Sequence, residues 1–183
     1  MKMTKWTLPA LAILSFGFSS CQKNSRETQN ANYFTYEGKN YPTTSAYYVN
    51  DFIGGGYVQV FLTTALEVDN GTNVVEFAFY KSEIPTSGTF TAHYFDTMDF
   101  DSTKHFDEAM TGLNFSKQSI GYQTLFMGTE SPSSTPEYSN MDGSTVTVSK
   151  SGDNYTFVYD LKFTKDGKTS DFKGQYTGKV IKE

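Results

Sequence analysis

Tyr155-Thr156-Phe157-Val158-Tyr159-Asp160-Leu161-Lys162-Phe163-Thr164 carries a large apolar side chain at every second residue. Tyr155, Phe157, Tyr159, Leu161 and Phe163 share one face, and Thr156, Asp160, Lys162 and Thr164 share the other, with Val158 the one apolar exception. A helix would scatter those five side chains around its axis, so a period of two predicts a strand. Outward from it, Val146 and Val148 alternate upstream. Downstream, Phe172, Gly174, Tyr176, Gly178 and Val180 alternate against Asp171, Lys173, Gln175, Thr177 and Lys179. Ser151-Gly152-Asp153-Asn154 and Lys165-Asp166-Gly167-Lys168 supply turn chemistry between these runs, glycine giving the positive φ that tight hairpins need. The last forty residues therefore read as a three-stranded antiparallel meander.

The rest of the chain has the same character. Tyr33-Phe34-Thr35-Tyr36 turns at Glu37-Gly38-Lys39-Asn40 into a strand holding Tyr41, Tyr47 and Val49. Tyr57 to Ala65 and Val74 to Tyr80 flank Asp69-Asn70-Gly71-Thr72, an Asn-Gly hairpin signal. Gly54 to Gly56 lack the Lys-Ser/Thr of a phosphate loop and read as a bulge or strand entry. Ile84-Pro85-Thr86-Ser87-Gly88 leads into a strand from Thr89 to Phe95, and Ile120 to Met127 is another. Between them, Ser102 to Gly112 fits a short helix: Ser102 as N-cap, Phe106, Ala109 and Met110 on one face, Gly112 beyond the end. The expectation is one all-β domain over residues 33–183, a single antiparallel β-barrel or β-sandwich of about eight to ten strands.

The N-terminus reads as an export signal over residues 1–20. Lys2 and Lys5 precede a short apolar core from Leu8 to Phe18, too short for a span of roughly 20 residues. Cys21 is the sole cysteine, so no internal disulfide can form. Phe18-Ser19-Ser20-Cys21 resembles a bacterial lipobox, in which the cysteine becomes the acylated N-terminus; a membrane partner through that anchor is the expectation. Residues 22–32 are polar apart from Ala31 and form a flexible tether. Removing Lys2 and Lys5 from the 15 basic residues leaves 13 against 20 acidic, a net charge of −7. That balance argues against nucleic acid as a partner, which demands clustered Lys and Arg.

Four stretches carry a family resemblance: Phe34 to Tyr41; Ile84 to Phe90; Gly143-Ser144-Thr145-Val146-Thr147-Val148; and Tyr155-Thr156 with Asp160-Leu161, Gly167 and Gly174 to Gly178. They resemble small lipoproteins of Bacteroidota described as calycin-like or Ig-like β-proteins. The resemblance implies an outer-membrane-anchored lipoprotein on the periplasmic or cell-surface face. It offers no catalytic residues to carry over. Asp96-Thr97-Met98 and Asp101-Ser102-Thr103 resemble the Asp-Ser/Thr sites at which such bacteria O-glycosylate exported proteins, which marks Thr97 and Ser102.

Chemistry is sparse. Asp99-Phe100-Asp101-Ser102-Thr103 mimics the first calcium-loop ligands, but Lys104 stands where the turn needs Gly and Met110 where a bidentate Glu belongs. His93 and His105 lack the spacing of a zinc set. No serine sits in a Gly-x-Ser-x-Gly elbow. No cofactor, metal or catalytic activity is expected. The surplus is aromatic, 13 Tyr and 16 Phe, and core filling takes most of it. Tyr47, Tyr48, Tyr57, Tyr122 and Tyr138 are the candidates for a stacking platform. Two function classes follow. One is a lipid-anchored, non-catalytic binding module for a glycan, a hydrophobic small molecule or a peptide, in a barrel mouth or on a sheet face. The other is a structural or interaction lipoprotein of an envelope complex. An apolar interior cavity above ~300 Å³ favours the first; a filled interior with an exposed aromatic patch favours the second.

Overall fold

The computed structural model describes residues 32–51, 56–129 and 139–183. The export signal, Cys21, Gly54, Gly55 and Tyr138 lie outside the described residues. Within them the chain is all-β, with fourteen strands and no helix. These are β1 Tyr33–Tyr36, β2 Lys39–Pro42, β3 Ser45–Asp51, β4 Tyr57–Thr63, β5 Val74–Phe79, β6 Ser87–Ala92 and β7 His105–Phe106. They continue as β8 Glu108–Ser116, β9 Gly121–Thr129, β10 Ser139–Asn140, β11 Thr145–Ser151, β12 Asn154–Lys165, β13 Lys168–Lys179 and β14 Ile181–Lys182.

The meander forms as its alternation predicts. β11 and β13 both pair antiparallel with β12, in the registers Val148↔Phe157 and Phe157↔Tyr176. Asp166 and Gly167 close the β12–β13 hairpin with φ of +50° and +73°, the pair of left-handed residues that a two-residue turn between right-twisted strands requires. Phe157, Leu161 and Phe163 are fully buried and Tyr159 nearly so, whereas Val158 on the outer face is half exposed.

All fourteen strands belong to one sheet that branches at β12. One path runs β14-β3-β4-β5-β8-β9-β10-β12-β11-β6-β7, and β13, β1 and β2 continue from the other edge of β12. The sheet is mixed, because three short pairings are parallel: β6 with β7, β9 with β10, and β3 with β14. It curls so that its inner face meets itself. Phe77 of β5 lies 6.1 Å from Phe157 of β12, Phe79 lies 5.2 Å from Phe90 of β6, and Phe126 of β9 lies 4.8 Å from Phe172 of β13. Burying each such ring is worth roughly 1.5–3 kcal/mol.

Two glycines mark places where this interior is tightly packed. A Cβ on Gly128 would collide with Met141 and Phe163, and one on Gly174 would lie 2.5 Å from the Tyr159 hydroxyl. That hydroxyl is buried beside the Thr43 side chain. Among the described residues, grooves of about 200, 400 and 590 Å³ lie at the surface.

Several expectations are corrected. The sheet is not closed into a barrel and is not purely antiparallel. Fourteen strands exceed the expected eight to ten, partly because β7, β10 and β14 have only two residues each. The run holding Tyr41 and Tyr47 is two strands, β2 and β3, with different partners. The helix over 102–112 does not form. Ala109, Thr111 and Leu113 point inward from β8, which has β5 on one side and β9 on the other. Tertiary pairing overrides a helical spacing that three residues also satisfied.

Candidate functional site

β5 is buried on both faces. Val75, Phe77 and Phe79 join the core, and Val74, Glu76 and Ala78 point the other way. A carboxylate in the middle of a six-residue buried strand is the unusual feature of this molecule, and the outer face around it is the candidate site.

The registers lay out that face as two rows. Tyr47, Phe61, Glu76, Met110 and Met127 stand side by side on β3, β4, β5, β8 and β9. The next row is Val49, Gln59, Ala78, Glu108 and Thr129. Tyr47 stacks on Phe61 with ring centroids 4.7 Å apart and planes within 11°. Tyr122 lies over Gly112, where a Cβ would come within 2.7 Å of the ring. Asn114, at φ +52°, interrupts the alternation of β8 before Phe115, whose ring meets Tyr122 at 5.3 Å.

Glu76 is 8% exposed, and Gln59 Nε2 donates to its Oε1 at 2.8 Å. Burial, and then the neighbouring Glu108 charge, push the Glu76 carboxyl up to about 7. Burial likewise raises Glu108 and Asp107. Asp107 is 4% exposed; Tyr57 Oη donates to it at 3.0 Å and the Phe95 backbone N–H at 2.9 Å. Burial, Glu183, Tyr122 and Glu76 together push Tyr47 up to about 12. Beyond Tyr57 the aromatic surface continues through Tyr80, 6.4 Å away, to Phe95, which stacks on Tyr80 at 5.6 Å. Tyr80 and Phe95 are each about two-fifths exposed.

Three of the stacking candidates thus fall on one surface: Tyr47, Tyr57 and Tyr122. Tyr48 does not; it turns inward against the core. Thr97 is exposed, its hydroxyl donating to the Tyr94 carbonyl at 2.8 Å. Ser102 is half-buried beside the groove formed by Tyr80 to Ser87.

His93 and His105 meet, ring centroids 4.5 Å apart, although no spacing rule linked them. His93 Nε2 lies 3.0 Å from Asp99, and His105 Nδ1 accepts the Asp101 N–H at 2.9 Å. Asp101 is occupied by Lys104 and by the Thr103 N–H and hydroxyl. Among the described residues no three His, Cys, Asp or Glu are arranged to hold a metal ion.

Glu76 and Gln59 were not among the sequence candidates, and Glu108 stood out only as the end of the polar stretch from His93. The available signal was Glu76 itself, the one charge in Val74-Val75-Glu76-Phe77-Ala78-Phe79. Compared with protein-family models, curated proteins and solved structures, the chain finds no match.

Proposed function

We propose that the protein is a lipid-anchored, non-catalytic binding module of the cell envelope that holds its ligand on the outer face of β3, β4, β5, β8 and β9. One observation carries this reading: buried carboxylates with no cationic partner among the described residues lie among stacked and half-buried rings on one sheet face. Buried acids without a counter-charge cost folding free energy even when hydrogen-bonded, and they cluster at functional sites. Rings beside carboxylates and an amide suit a glycan or a peptide, whose flat or aliphatic parts stack while polar groups bond to Glu108 and Gln59. A hydrophobic molecule enclosed in a barrel is not favoured, since the sheet is not closed into one.

The chain's course supports an anchor at one end of this surface. Asn32, where the described residues begin, bonds through its side chain to Thr177. Thr177, Thr156, Ser149 and Ser87 form one row at that end, whereas β6 delivers the Phe95 loop at the other.

The exposed Tyr80, Phe95 and Met98 favour a second reading, an interaction lipoprotein docking another envelope protein. A thermal-shift screen of the detergent-solubilised protein against glycan and short-peptide panels separates the two. A ligand at 100 times its Kd stabilises by about 2.7 kcal/mol, and Tyr47→Ala should abolish that shift. A screen with no hit, alongside co-purification of a stoichiometric envelope protein, favours the second reading.

A further inference from the structure

Glu76, Asp107 and Glu108 are buried or half-buried acids, and among the described residues none has a cationic partner. The ion pairs all lie elsewhere: His93–Asp99, Lys104–Asp101, Lys117–Asp69, Lys173–Asp160 and Lys179–Asp153. The groups acting on the three carboxyls are one another, Tyr57, Gln59 and a backbone N–H. Buried charges in folded proteins are normally paired. Here no pairing charge stands beside them among the described residues.

A second observation is independent of the acids. Thr129 is 6% exposed, and its Oγ1 has no hydrogen-bond partner among the described residues. It stands directly opposite Glu108 in the β8–β9 ladder, so both side chains project from the same face. Gly128 beside it faces the other way, toward Met141 and Phe163. Glu76 is the diagonal neighbour of Glu108 on β5, a Cα separation of roughly 7–8 Å. Two carboxylates and an unused hydroxyl therefore project from three adjacent strands over the small floor of Ala78.

We infer that this face binds a ligand through a primary ammonium group, held by Glu76, Glu108 and the Thr129 hydroxyl, with its aliphatic body against Tyr47, Phe61 and Tyr122. An ammonium has three donors and no acceptor, which matches two carboxylates and a hydroxyl oxygen. No third His, Cys, Asp or Glu joins these two carboxylates in a metal-holding arrangement among the described residues. The inference rests on the binding-module reading and narrows its ligand class.

The test titrates the full-length protein in detergent with spermidine, with the tripeptide acetyl-Gly-Lys-Gly-amide, and with the same peptide carrying Nε-acetyl-lysine. Ring resonances of Tyr47 and Tyr122 are followed by NMR, and affinity by calorimetry. The expected result is saturable binding of at least one amine, at least tenfold weaker binding of the neutral peptide, and at least a tenfold loss in both Glu76→Gln and Glu108→Gln. Asp69→Asn, an exposed acid away from this face, should bind as the parent does. Denaturation midpoints establish that the Gln variants are folded. Preference for spermidine or for the lysyl peptide identifies the source of the ammonium. Equal binding of the neutral peptide at Tyr47 and Tyr122 overturns the ammonium inference and leaves the outer-face reading standing. No ring perturbation by any probe also overturns the inference, and the glycan and peptide screen then decides the broader reading.

Discussion

Glu76 and Gln59 meet at 2.8 Å across β5 and β4, on the face of the sheet turned away from the aromatic core. The amide gives the carboxylate one donor, but burial still raises its pKa to about 7. A raised carboxyl stabilises the fold where both states are protonated, and that stability is lost as pH rises from the unfolded value through the folded one. The free protein should therefore lose on the order of 3 kcal/mol through Glu76 between about pH 4.5 and 7. Glu108 and Asp107, also raised, act with the same sign. Glu76→Gln should flatten this part of a urea-denaturation pH profile. An unchanged profile would mean that Glu76 is not buried as described.

Tyr122 depends on Gly112. A methyl there would lie 2.7 Å from the ring, so Gly112→Ala must displace Tyr122 from the outer face. Overpacking of this kind costs about 1–3 kcal/mol. Ligand binding should fall as well, and a Tyr122 ring resonance that keeps its parent shift in the variant would contradict this placement.

In the meander, Phe157→Ala should cost about 3–5 kcal/mol in chemical denaturation, since the ring is fully buried against Phe77. Lys162→Ala, whose side chain points to the outer face, should stay within ~0.5 kcal/mol. Equal effects would mean that the faces of β12 are reversed.

That strand is also where the fold was most legible. From Tyr155 to Phe163 the alternation admits one reading, and the turn residues on either side fix its partners. Phe106 to Leu113 was ambiguous because Phe106, Ala109 and Met110 suit a helix while Ala109, Thr111 and Leu113 suit a strand. The choice belongs to β5 and β9, which bond to both edges of β8. The site was half legible for a related reason. Tyr47, Tyr57 and Tyr122 stood out by type, but their convergence depends on cross-strand register. So does the approach of Glu76 to Glu108, which no local pattern records.

The anchor reading has its own consequence. Cys21→Ser should release the protein from the membrane fraction while leaving the domain folded, because a multiply acylated terminus far exceeds the single-chain affinity of ~10⁴ M⁻¹. A variant that still sediments with membranes after carbonate washing would rule out lipid anchoring at this residue.

The proposed function places the ligand on the outer face of β3, β4, β5, β8 and β9. Its most direct test compares Tyr47→Ala/Tyr122→Ala with Tyr33→Ala, which alters the groove across β1, β13, β12 and β11. Calorimetric titration with a ligand from the thermal-shift screen should show binding at least tenfold weaker in the double variant and unchanged in Tyr33→Ala. Full affinity in the double variant, with loss in Tyr33→Ala, would move the site to the opposite part of the sheet and contradict the account.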